Sequence, residues 1–131
     1  MNRLDKIKNS ILPLNKIHHK INYGGCGTFS YYLSSKLEEL HIEHKIVYLK
    51  EKETPPNSFR CDIKFTHILI KIDDYIIDNN NYYCCNNYEL YELEKTKLYN
   101  MLKEPRLWNN LFDEEKREKL KNDLLSLKIL F

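Results

Sequence analysis

Every glycine in the chain falls inside four residues, Gly24-Gly25-Cys26-Gly27, and none occurs in the other 127 positions of the 131. A chain so sparing with glycine is not using it for loose linkers. Glycine allows backbone conformations closed to other residues and lets another chain segment or a ligand approach closely. Immediately afterwards Phe29, Tyr32, Leu33, Leu37 and Leu40 recur at helical spacing, so a helix is predicted from Thr28 to about Leu40-His41, capped by Gly27 or Thr28. Cys26 then lies at or just before a helix N-terminus. There the unpaired N–H groups and the positive end of the helix dipole lower a thiol's pKa and can hold a developing oxyanion. A structural turn around a small buried thiol fits this stretch equally well.

The surrounding chain reads as helices, a small antiparallel sheet, then helices. Leu4, Ile7, Ile11, Leu14, Ile17 and Ile21 step by three or four residues, with Pro13 dividing the run into two helices. Glu43 to Leu49 and Lys64 to Ile72 are rich in β-formers and read as strands. Asp73-Asp74 forms a tight turn and Tyr75 to Asp78 returns as a third strand, ended by Asn79-Asn80-Asn81. Lys50 to Asp62, with Pro55-Pro56, is the longest loop and suits a flap over a site. Tyr82, Tyr83, Tyr88 and Tyr91 suggest sheet-to-helix packing. From Asn87 the chain is expected to turn helical, with Leu90, Leu98, Met101 and Leu102 inward and Pro105 as the break. Trp108 serves as a core anchor. Asp113 caps a last helix that buries Leu120, Leu124, Leu127 and Phe131. These elements make one α+β domain spanning residues 1–131, with the sheet packed against the central helix that starts at Cys26.

Composition narrows the function classes. Hydrophobic residues at 42% and charged residues at 31% describe a soluble globular chain, and no apolar run reaches the length of a membrane span. A net charge of +2 without a Lys/Arg run argues against a nucleic-acid partner. The four cysteines, Cys26, Cys61 and the adjacent Cys84 and Cys85, do not form a secreted disulfide framework. With no signal-peptide core at the start, a cytoplasmic protein is expected. Alanine is absent while Lys, Asn, Ile and Tyr abound. That usage suggests AT-rich coding, as in phages, viruses or low-GC bacteria, and hence a host cytoplasm. Neither CxxC nor HExxH spacing occurs, so Cys61, Cys84-Cys85 and His41-x-x-His44 carry little case for zinc, and no metal or cofactor is called for. His18-His19 could line a site beside the glycines, though a solvated helix end is the simpler reading.

A thiol nucleophile needs a base, and the base an orienting group. His67 is the candidate base. A two-residue turn at Asp73-Asp74 pairs Ile72 with Tyr75 and so brings Leu69 opposite Asp78. His67 and Asp78 then share a face, roughly 5–8 Å apart at Cβ. The alternative for Asp78 is a strand-end residue starting a turn with Asn79.

Gly24-Gly25-Cys26-Gly27-Thr28-Phe29 opening a helix, followed by the hairpin His67-Ile68-Leu69-Ile70-Lys71-Ile72-Asp73-Asp74-Tyr75-Ile76-Ile77-Asp78, resembles the transglutaminase-like branch of the papain-like cysteine enzymes. The resemblance spans roughly Asn22 to Asn81. Trp108-Asn109-Asn110-Leu111-Phe112-Asp113 is similar to a C-terminal feature of small phage-encoded members. What the resemblance implies is a Cys26 nucleophile, His67 as general base and then acid, and Asp78 as orienter. The implied reaction is acyl transfer on a protein or peptide, as in a peptidase, amidase or deamidase, or transfer to an amine. The chain is shorter than the arylamine N-acetyltransferases of this group and contains no Gln, the residue that precedes the cysteine in papain. Oxyanion and substrate contacts would fall to the Cys26 backbone N–H, Gly25 and Gly27, with the Asn22 amide or the Tyr23 hydroxyl. A catalytically silent protein-binding module of the same fold is the alternative from a different class.

Overall fold

A computed structural model of the chain describes residues 2–18, 21, 25–50, 65–103, 113–129 and 131. The Lys50 to Asp62 flap, Cys61 and Trp108, with all of its motif before Asp113, lie outside the described residues, apart from the backbone of Lys50; so do His19, Asn22, Tyr23 and Gly24.

Asn2 caps the first helix, α1 (Arg3–Ile11), by accepting from the Asp5 amide at 2.8 Å, and the helix buries Leu4, Ile7 and Ile11. Pro13 ends it and, with its φ fixed at a helical value of −59°, opens α2 (Leu14–Ile17). The central helix α3 runs Cys26–Glu39 and is preceded by Gly25, two residues earlier than the spacing of the apolar residues predicts. It packs on the sheet at one side and on the later helices α4 (Lys95–Leu102) and α5 (Glu114–Leu125) at the other. Its end is closed by a Schellman motif. Ile42 N–H donates to Leu37 O at 2.9 Å and His41 N–H to Glu38 O at 3.1 Å, with His41 at φ 58°.

Five antiparallel strands follow: β1 (Lys45–Lys50), β2 (Phe65–Ile72), β3 (Tyr75–Ile77), β4 (Tyr82–Cys84) and β5 (Leu90–Glu92), in the spatial order β4-β3-β2-β1-β5. The chain is therefore α+β, with an antiparallel sheet against a helix that begins at Cys26. Alternation along the strands gives the sheet two apolar faces. Ile46, Ile68, Ile70, Ile72 and Ile77 join the core formed with Leu4, Ile7, Phe29, Leu33, Leu37, Leu120 and Leu124. Val47, Leu69 and Ile76 form a smaller cluster with Leu49, Cys85 and Leu90.

The helix expected from Asn87 begins only at Lys95. Before it lie a 3-10 turn at Cys85–Asn87 and then β5. Leu90, Tyr91 and Glu92 pair with Leu49, Tyr48 and Val47, and the Tyr48 and Tyr91 rings stack at 5.4 Å. The open edge of β1 decides this segment over its local helical pattern. Tyr82 to Cys84 likewise forms an edge strand, tied to α1 where the Tyr82 hydroxyl donates to Asp5 at 2.7 Å. At the C-terminus Asp113 caps α5 as expected, accepting from the Lys116 amide at 3.0 Å. Phe131, however, is exposed, and Ile129 is buried instead.

Candidate functional site

The site forms where sheet pairing runs out. β2 has eight residues and β3 only three, and their pairing stops at Ile70 opposite Ile77. In an antiparallel pair the N–H and C=O of one residue point to the same side, alternating along the strand. Ile72 and Ile70 turn toward β3, so Ile68 presents its N–H and C=O to the space beyond the end of β3. The first turn of α3 fills that space. The Ile68 backbone hydrogen-bonds the Cys26 thiol, and its carbonyl accepts from Ser30 Oγ at 3.0 Å. Cys26 and Ser30 are one helical turn apart and so reach the same strand residue. Ser30 is fully buried. The sequence offered no signal for this role beyond its i+4 spacing from Cys26.

Gly27 explains how the helix comes this close. A Cβ there would lie 3.1 Å from a Leu102 methyl and 3.5 Å from methyls of both Ile68 and Leu98. Gly27 is thus a packing residue whose N–H also bonds the Cys26 sulfur. Gly25 has φ −99°, outside the left-handed region, so its backbone conformation does not demand glycine.

Cys26 is half-buried and its thiol hydrogen-bonds the His67 imidazole. Burial pushes the thiol pKa up. The hydrogen bond and charge of His67, with the backbone bonds of Ile68 and Gly27, together outweigh burial and hold the thiol below its ordinary value. His67 Nε2 stands 3.9 Å from Asp78 Oδ2, an ion-pair separation longer than a hydrogen bond. Burial disfavours the imidazolium, but Asp78 and Cys26 together raise His67 from 6.5 to about 9. For Asp78 the order is the same. Burial raises it, and the neighbouring His67 together with the hydrogen bonds from the Asn81 and Asn80 amides brings it below the usual carboxylate range. The pattern favours a thiolate beside an imidazolium.

The two readings of Asp78 turn out to be compatible. Its Oδ1 accepts from Asn80 N–H at 2.7 Å and from Asn81 N–H at 2.9 Å, closing a turn, while Oδ2 faces His67. Cys26, His67 and Asp78 are thus brought together, flanked by Gly25 and Gly27 in the α3 start. The oxyanion candidates Asn22 and Tyr23 lie outside the described residues.

Among the described residues, two other histidines are engaged elsewhere. His44 has Ser34 Oγ at 2.6 Å from Nε2 and Ile42 O at 2.8 Å from Nδ1, so both ring nitrogens are occupied, while His41 is exposed. His18, expected at a solvated helix end, is buried against α5 with Nε2 2.5 Å from Asp123 Oδ2. Among the described residues no group of three His, Cys, Asp or Glu is placed to hold a metal ion, and no helix is long and apolar enough to cross a membrane. No family model, curated protein or solved structure matches the chain.

Proposed function

We propose that this chain is a cysteine-dependent acyl-transfer enzyme acting on an amide or thioester carbonyl of a protein or peptide. The observation that carries the reading is the Cys26–His67 pair, mostly buried but reached by solvent at the N-terminus of α3, with Asp78 in ion-pair range of the ring. A buried structural thiol needs neither an imidazole beside it nor a carboxylate behind that imidazole.

The thiolate attacks the carbonyl carbon, forming a C–S bond while the carbonyl π electrons move to oxygen. The positive end of α3 favours that oxyanion. As the intermediate collapses, the C–N or C–S bond to the leaving group breaks and His67 supplies its proton. Neutral His67 then takes a proton from water, or from an amine in a transfer reaction. The incoming nucleophile displaces Cys26 and restores the ion pair. Asp78 keeps the ring oriented and stabilises its charge throughout. No step calls for a metal or cofactor. A thiolate used in this way suits a reducing compartment such as the cytoplasm, and Cys84 and Cys85 are free thiols as well.

The test is labelling with a thiol-directed peptide probe carrying an electrophilic carbonyl, on wild type, Cys26→Ser, His67→Ala and Asp78→Ala. Labelling confined to Cys26 and lost in Cys26→Ser and His67→Ala supports the proposal. Wild-type labelling no faster at Cys26 than at the other thiols refutes it.

A further inference from the structure

The carboxylate of Asp78 has no helix or strand of its own to hold it, because β3 ends at Ile77. Its place is set by the turn 78–81, closed by Asp78 N–H donating to Asn81 O at 3.0 Å and by the two amide bonds to Oδ1. That turn is in turn fastened to α2. Asn15 Nδ2 donates to the backbone carbonyl of Asn79 at 2.7 Å and approaches Asn80 Oδ1 at 3.3 Å. Asn79 Nδ2 donates back to Asn15 Oδ1 at 2.9 Å. Asn79 is buried, and its side-chain amide is aimed at Asn15 rather than at solvent. The two residues are 64 positions apart, so this closed pair is a tertiary contact and not turn chemistry.

We propose that Asn15 and Asn79 are positioning residues for the site, clamping the 78–81 turn to α2 so that Asp78 Oδ2 stays within ion-pair range of His67. This rests on the triad reading given above. One Asp78 oxygen is committed to its own turn, so the carboxylate cannot swing independently. Whatever moves the turn moves the charge. Facing His67 are Cys26 from α3, Asp78 from the turn and the apolar Leu49 opposite it on β1. Facing Asp78 are His67 and, on β4, Tyr83, whose hydroxyl is raised first by burial and then by the Asp78 charge. Asn15 and Asn79 carry no charge, so their replacement acts on His67 through geometry.

The experiment uses the full chain, with Asn15→Leu and Asn79→Leu as near-isosteric variants that remove the amides. Leu124→Ala serves as a destabilised core control whose side chain makes none of the hydrogen bonds of the turn. The readouts are the His67 ring titration followed by NMR and the rate of Cys26 alkylation by iodoacetamide against pH. Expected in both Asn variants are a His67 midpoint lower by about one pH unit and about a tenfold slower alkylation at neutral pH, with Leu124→Ala unmoved. Added to Asp78→Asn, Asn15→Leu should change nothing more, because no carboxylate is left to place. A raised wild-type His67 midpoint that both Asn variants leave in place overturns the positioning role alone. An ordinary wild-type midpoint overturns the triad and the clamp together.

Discussion

Replacing Asp78 with Asn removes a charge and little else. An Asn side-chain oxygen can still accept from the Asn80 and Asn81 amides, so the turn survives, whereas Ala would lose it. What goes is the attraction across 3.9 Å to His67. At that separation a pair of unit charges is worth about 1 kcal/mol in water and about 4 kcal/mol at the effective dielectric of a protein surface. His67 and Asp78 side chains are 22% and 14% exposed, so the pair lies between those limits. At 1.36 kcal/mol per pH unit, His67 should fall by about one to three units from its value of about 9. An imidazole that is harder to protonate stabilises the neighbouring thiolate less, so the Cys26 midpoint moves the other way, up toward an ordinary thiol. Two measurements read these opposite displacements: NMR titration of the His67 ring, and iodoacetamide alkylation of Cys26 followed by mass spectrometry across pH. If neither midpoint moves in Asp78→Asn while the variant keeps wild-type stability, Asp78 is only a turn residue and the reasoning fails.

Three further outcomes are expected. A raised His67 contributes stability that is full below 6.5 and lost as pH climbs through about 9; a lowered Cys26 contributes stability that is full above 9.0 and lost as pH falls through its folded value. From the higher of 6.5 and the folded Cys26 value up to 9.0 the two trends cancel, since the folded ion pair and the unfolded neutral pair hold one proton each. Denaturation curves at several pH values should therefore show the pair's contribution to be flat just below 9.0 and sloping only between 6.5 and the folded Cys26 value. Ser30→Ala leaves the buried Ile68 carbonyl without its hydroxyl donor and should cost about 1–3 kcal/mol in urea unfolding. His41→Gly relieves a left-handed residue at the end of α3. It should raise stability by about 0.5–1 kcal/mol and leave Cys26 alkylation unchanged.

The elements legible in the sequence are those specified by their own residues. Pro13 splits the N-terminal helices, Asp113 caps α5, and the Asp73-Asp74 turn fixes the β2–β3 register that puts His67 and Asp78 on one face. Edge strands were not legible. β5 exists because β1 offers an open edge, which no window around Leu90 reveals, and β4 depends on α1 holding Tyr82. The start of α3 lies two residues ahead of the apolar spacing for a related reason. Its first turn is fixed by contacts with Ile68, Leu98 and Leu102 rather than by apolar spacing. Within the site, Cys26, His67 and Asp78 could be read from residue type and register. Ser30, Asn15 and Asn79 could not, since each acts through a partner at least 38 positions away.

The early end of β3 links fold and chemistry. A strand residue with no neighbouring strand on the side its amide and carbonyl face exposes one donor and one acceptor there, and both must be satisfied if the position is buried. Ile68 is such a residue, and α3 answers it twice: Ser30 donates to the carbonyl, and Cys26 takes the amide. A neutral thiol accepts hydrogen bonds only weakly, whereas a thiolate accepts them well. The contact that completes the β2 backbone therefore favours the ionised sulfur, as do Gly27 N–H and the positive end of α3. His67, one residue before Ile68 on the same strand, is carried to that sulfur by the same docking event. Folding of the helix onto the strand and ionisation of the thiol are thus one coupled process, and a substitution that loosens α3 from Ile68 should raise the Cys26 pKa even where it touches neither Cys26 nor His67.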